Sequence, residues 1–235
     1  MKRFWDTATT VPDGQTWQVL LDGKPMRLPG GALLRLSNPT LADAVAAEWQ
    51  AAGGAKGGEM SFADTPLTRM AGTAQERVAP HAAAVALELA RYAESDLLCY
   101  RAADPDALVL RQHEQWQPWL DWADTRYGAR LDITTSIIHR AQPPQALATL
   151  AAAVAAHSVH ALATLGIIVP AFGSLILGLA VAESALDPAS ATTAAQLDEI
   201  FQAELWGVEQ ESEERRTQIA ADIAVAARYL MLSRS

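Results

Sequence analysis

Between Arg140 and Glu183 the chain carries no Asp, Glu, Lys or Arg. So long an uncharged stretch must leave water, and a lipid bilayer or the inside of a helical body are the places that can take it. Segment 166–182 is the part most like a membrane span. Pro170, Gly173 and Gly178 interrupt it, His157 and His160 lie just upstream, and it barely reaches the ~17–25 residues that a span requires. The pattern therefore predicts a central helix buried on all sides. Pro143-Pro144 opens one helix, containing Ala148, Leu150, Val154, His157, Val159 and Leu162, and a second runs from Pro170 to about Ser184. The two are expected to form a buried hairpin.

Composition agrees with a mostly helical chain large enough for a sizeable core. Half of the 235 residues are hydrophobic but only 6% are aromatic, and Ala, the residue that costs least in a helix, supplies much of the rest. A formal charge of -9 argues against nucleic-acid binding, because phosphates repel such a surface. Cys99 stands alone, which excludes an internal disulfide and fits a reducing compartment. Met1–Asp6 is followed by neither an apolar signal core nor an Arg/Ser-rich transit segment, so the chain is expected to start at the fold itself.

The N-terminal part reads as strands. Thr16–Leu21 and Lys24–Pro29 flank Asp22-Gly23, the strongest short hairpin signal, and Trp17 and Val19 alternate with Thr16 and Gln18 to give one buried face. After Gly30-Gly31, Leu33, Leu34 and Leu36 suggest a further strand. At Asn38-Pro39 the spacing becomes helical through Leu41, Val45 and Trp49, until the glycines of 53–58 end it. That loop holds Lys56 but lacks the Gly-x-x-x-x-Gly-Lys-Ser/Thr order of a phosphate loop.

From Thr65-Pro66 onward helix follows helix. Val78, Ala82, Val85, Leu89 and Tyr92 repeat at helical spacing, and the short run Leu97–Tyr100 is expected to plug into a helical core. Asp104-Pro105 resembles a cap with Pro in the first turn, Pro118 should kink or restart the following helix, and Gly128 should end it. Trp116, Trp119 and Trp122 read as a core wedge, with an exposed binding surface as the alternative. Thr193 with Gln196 resembles a capping box ahead of a helix with Leu197, Ile200, Phe201, Leu205 and Val208 on one face. Ile219, Ile223, Ala226 and Leu230 form a last stripe.

Candidates for chemistry are weak. His157 and His160 are three apart, as a metal pair could be, but no nearby carboxylate or Cys completes a set. Cys99 has Arg101 nearby but no local His partner, and Ser174 lacks the second Gly of a nucleophile elbow. No catalytic residue, cofactor or metal is assigned. The alternative is a small-molecule-binding protein or enzyme with a pocket near Asp96, Cys99 and Tyr100. The acidic run is more informative: Glu204, Glu209, Glu211, Glu213 and Glu214 crowd beside Trp206-Gly207, ahead of Arg215-Arg216. It is either a solvated helix with a Glu211–Arg215 pair or a projecting segment that meets a basic partner.

Several stretches in this order resemble the ATP synthase assembly factor 2 chaperones: Lys2–Trp5, Leu21–Pro25, Ala46–Trp49, Thr65–Arg69, Arg91-Tyr92 through Asp96–Arg101, Trp119–Trp122, Phe172–Leu175 and Glu204–Gly207. The resemblance covers nearly the whole chain. It departs where mitochondrial members tend to have aromatic and His residues after Trp-Gly, here Val208-Glu209-Gln210-Glu211. It implies an α+β protein, with a small antiparallel β domain over 1–62 that includes one short helix, and a larger helical domain over 63–235. The implied function is a non-enzymatic chaperone for assembly of the F1 sector. Mitochondrial members carry an import sequence that is not seen here, so the resemblance implies a bacterial cytoplasmic member. Its client would be the unassembled alpha subunit, held until beta takes its place, without membrane insertion or nucleic acid. The five glutamates above are the expected partner-binding residues.

Overall fold

The computed structural model describes residues 1–136, 138–207 and 209–234. Three strands, β1 (Ala8–Asp13), β2 (Thr16–Leu21) and β3 (Lys24–Pro25), form an antiparallel sheet in sequence order. The helices follow as α1 (Pro39–Ala51), α2 (Pro66–Gly72), α3 (Ala82–Ala90), α4 (Asp106–Tyr127), α5 (Pro144–Ala155), α6 (Val159–Phe172), α7 (Leu175–Ala182), α8 (Pro188–Ala195), α9 (Leu197–Trp206) and α10 (Gln210–Arg234). This is the α+β class, a small antiparallel sheet followed by a mostly helical region. Among the described residues no helix is long and apolar enough to cross a membrane. Two compact units emerge: Met1–His81 with Val159–Thr164 and Val225–Ser235, and Ala82–Ser158 with Leu165–Ala224. They divide the chain differently from the change in element type expected at residue 62.

In the first unit Asp22 and Gly23 both take positive φ (47° and 78°), as a two-residue hairpin turn requires. Strand β1 precedes the hairpin expected from the sequence and contains Pro12, a residue that cannot donate to a sheet ladder. It is tolerated here on an edge, opposite Trp17. Leu33–Leu36 adds no full strand and instead pairs by the isolated bridges Arg27–Leu33 and Trp17–Leu36, with Leu34 and Leu36 buried. Asn38 caps α1 by accepting from the Leu41 N–H at 2.8 Å. The α1 face of Leu41, Val45 and Trp49 joins Trp5 and Val19 in the core. Arg3 is 3% exposed, and its guanidinium donates to the carbonyls of Trp5, Asp6, Gln50, Ala52 and Gly54.

In the second unit α7 is buried on every side, as the uncharged stretch predicts. Several local expectations are corrected. Three helices, not two, occupy 144–182: α5 stops at Ala155, and Pro170 lies in the last turn of α6 rather than opening a helix. A proline there forfeits one backbone bond, and the helix is stopped only by Gly173 at φ 62°. Pro118 likewise sits inside an unbroken α4, between buried Trp116 and Leu120. Pro105, not Asp104, stands at the N-terminal cap position of α4, without a side-chain cap bond, and Gly128 ends the helix in the left-handed region. The stretch around Val78 is not one α-helix, since a π turn over Thr73–Val78 and a 3-10 turn over Ala79–His81 precede α3. Thr193 is helical inside α8, where its hydroxyl donates to the Ala189 carbonyl, so it cannot cap α9. Asp187 caps α8 instead.

Candidate functional site

The Asp96–Arg101 stretch is built for structure. Asp96 accepts the Ile176 N–H at 3.0 Å and the Leu98 N–H at 3.1 Å, while Ser174 caps α7 by accepting from Leu177 N–H at 3.1 Å. Two side chains thus serve the orphan donors at the start of a helix that water cannot reach. Asp96 is fully buried, and burial pushes its carboxyl up to about 6 against the opposing pull of the Ile176 N–H. Cys99 is buried too, and burial, with Asp96 adding to it, pushes the thiol up to about 12. Arg101 does not activate it. Its guanidinium donates to the Leu98 and Gln112 carbonyls and lies 5.3 Å from the Trp116 ring centre. Tyr100 pairs with His139 at 3.2 Å. Asp96 is thus spent on capping, and the Cys99 thiol is held un-ionised.

His160 bonds Tyr229 through Nδ1 at 2.6 Å, and burial depresses its pKa. Among the described residues no group of three or more His, Cys, Asp or Glu is arranged to hold a metal. Of the tryptophans, Trp116 is fully buried and donates to the Ala194 carbonyl at 2.7 Å, while Trp119 and Trp122 are half-buried and meet edge-on.

The surface formed by α9 and the first half of α10 is different in kind. On α9 only Leu197 and Phe201 are buried. Leu205, assigned by spacing to the same face, is 58% exposed, and Trp206 is 79% exposed. Val208 lies outside the described residues. Gly207 then turns the chain at φ 92°. A groove of about 480 Å³ is lined by Leu97, Phe172, Gly173 and Trp206 together with the charged side chains of Glu199, Glu209, Arg215 and Arg216.

All five candidate glutamates are exposed on this surface, but they are not equivalent. Glu204 makes a two-pronged ion pair with Arg111, at 2.7 and 2.9 Å, and that guanidinium holds its carboxyl below the ordinary range. Glu213 pairs with Arg216, three residues on, where spacing suggested Glu211 with Arg215. Glu209 accepts from Ser212 and Glu214 from Gln210. Among the described residues Glu209, Glu211 and Glu214 make no ion pair. The sequence could have flagged Trp206 only through its neighbour Gly207, since periodicity alone points Leu205 inward.

The ATP12 chaperone protein family model matches residues 2–124. The fold superposes on the crystal structure of Atp12 from Paracoccus denitrificans with TM-score 0.93 and 41% identity, covering 99% of this chain and 98% of that one. The chain belongs to the ATP12 chaperone family. A mutant of the same Paracoccus denitrificans Atp12p matches with TM-score 0.93 at 40% identity, covering 99% and 97%. The Atu1473 protein from Agrobacterium tumefaciens matches with TM-score 0.91 at 38% identity, covering 98% of this chain and 85% of that one. The ATP12 family is the one the sequence motifs resemble, and the match to solved structures spans both compact units.

Proposed function

We propose that this ATP12-family chain is a cytoplasmic bacterial chaperone for assembly of the F1 sector of ATP synthase. It holds the unassembled alpha subunit and covers the surface meant for its neighbours until beta replaces it. The observation that carries the reading is the similarity to Atp12 over 99% of the chain. The physics of the task is masking: an unassembled subunit exposes apolar area that aggregates, and a stable body with a complementary face suppresses that without covalent chemistry. The reading needs no cofactor or metal, and the buried state of Asp96 and Cys99 is consistent with a non-enzymatic role.

We assign the client surface to α9 and the start of α10. Glu209, Glu211 and Glu214 meet the client's cations, while Glu204 and Glu213, paired to Arg111 and Arg216, set the geometry. Release is competitive: beta offers the alpha subunit more complementary contacts and wins the exchange by mass action. The test dilutes denatured alpha subunit from the same organism into buffer with and without the protein, following light scattering and then size exclusion. Suppressed scattering and a co-eluting complex are expected. Unchanged aggregation with no complex would overturn the assignment.

A further inference from the structure

From Glu209 to Gln218 the chain carries no apolar side chain. These residues form the start of α10, and all of them except Arg216 are exposed. Their side-chain bonds are local: Gln210 to Glu214, Ser212 to Glu209, Arg216 to Glu213 and Gln218 to Asp222. Among the described residues none of those bonds reaches another element. Open space lies on both flanks. A groove of about 560 Å³ runs past Glu213 and Thr217, the 480 Å³ groove runs past Glu209 and Ser212, and Arg216 lines both. The later part of the same helix is held differently. Ile223, Ala226 and Tyr229 are fully buried, Tyr229 bonds His160, and Asn38 Nδ2 donates to the Leu232 carbonyl at 3.0 Å.

We propose that Gln210–Gln218 is an order-on-binding element: in the free protein it unwinds and rewinds locally, far more often than the molecule unfolds, and a client seated on it holds it helical. Packing supplies most of the stability of a helix in a protein, and unpacked helices shorter than ~12–15 residues are marginal in water. This segment has its local side-chain pairs, each a small contribution, and Glu209 and Glu213, one turn apart, oppose them. Unwinding it gives up almost no buried apolar area, so it belongs to the low-stability end of the fold. Each opening takes Glu211, Glu213 and Glu214 off the helix. The fraction of time spent wound therefore sets the apparent affinity of any partner that reads them as a helical array. The opening is a property of the free chain, whereas the alpha subunit as the partner that closes it rests on the function proposed above.

Hydrogen exchange of the full chain, free and mixed with the alpha subunit, tests both parts. The first amides of a helix lack an internal acceptor, so residues 214–218 are compared with 223–230. In the free protein 214–218 should be protected about a hundredfold less than 223–230. Their exchange should also ignore guanidinium below the unfolding transition, because local unwinding exposes little surface. Equal protection along α10 would overturn the element. The double variant Ser212→Ala/Thr217→Ala puts the best helix former at two exposed positions and should slow exchange at 214–218 about fivefold. Ser212→Gly/Thr217→Gly should speed it about threefold, and circular-dichroism melting checks that both variants fold. Rates indifferent to both changes would also overturn the element, since unwinding must respond to helix propensity. With alpha subunit bound, exchange at 214–218 should slow about tenfold or more. Fast exchange in the free protein that alpha binding leaves unchanged would keep the opening and overturn the client's place on this helix. Absence of any complex would overturn the client, while the measurements on the free chain still decide the element.

Discussion

Replacing Asp96 by Ala tests the claim that this residue is a helix cap and not a reactive group. The substitution strips the acceptor from two buried backbone donors, Ile176 N–H and Leu98 N–H. A buried donor left unsatisfied costs about 1–3 kcal/mol, so the direct loss is roughly 2–6 kcal/mol. The carboxyl adds a pH dependence of definite sign. Its folded pKa, about 6, lies above the ordinary 3.8, so the folded state binds the extra proton. The resulting stabilisation, about 3 kcal/mol, is fully present below pH 3.8 and is lost as pH rises through 6. Between pH 4.5 and 7 the stability gap between wild type and the Ala variant should therefore shrink by about 2 kcal/mol. Guanidinium unfolding followed by tryptophan fluorescence at both pH values measures it, with hydrogen exchange at the start of α7 locating the effect. A variant within 0.5 kcal/mol of wild type, on the order of an ordinary surface change, would refute the capping role. A gap that widens with pH would refute the sign of the shift.

Other perturbations have equally definite outcomes. Arg3→Lys replaces a planar fork serving five carbonyls with a single ammonium, and a loss of about 2–4 kcal/mol in thermal unfolding is expected. An unchanged Tm would show those bonds to be idle. Gly178→Ala should destabilise by about 1–3 kcal/mol although Ala is the better helix former by about 1, because the new Cβ would lie 2.5 Å from a Val169 methyl. A stabilised variant would contradict that packing. Cys99, buried and with its thiol pushed up to about 12, should resist a disulfide reagent at pH 8 until denaturant is added. Stoichiometric reaction of the native protein within the mixing time would place the thiol at the surface.

Local rules read correctly from the sequence were those with short-range causes. Asp22-Gly23 makes its hairpin because two adjacent residues accept positive φ, and Asn38-Pro39 starts α1 because cap and first turn are neighbours in the chain. The uncharged stretch gave a buried α7 because nothing in it could remain in water at acceptable cost. The ordered motifs pointed to the right family because they extend along nearly the whole chain. Tertiary contacts decided the rest. Asp96 acquires its role from a helix 80 positions later, and Glu204 loses its free charge to Arg111, 93 positions earlier. Leu205 keeps the spacing of a buried face yet ends in solvent, since periodicity tells which side chains share a face and only a packed neighbour determines whether that face is covered.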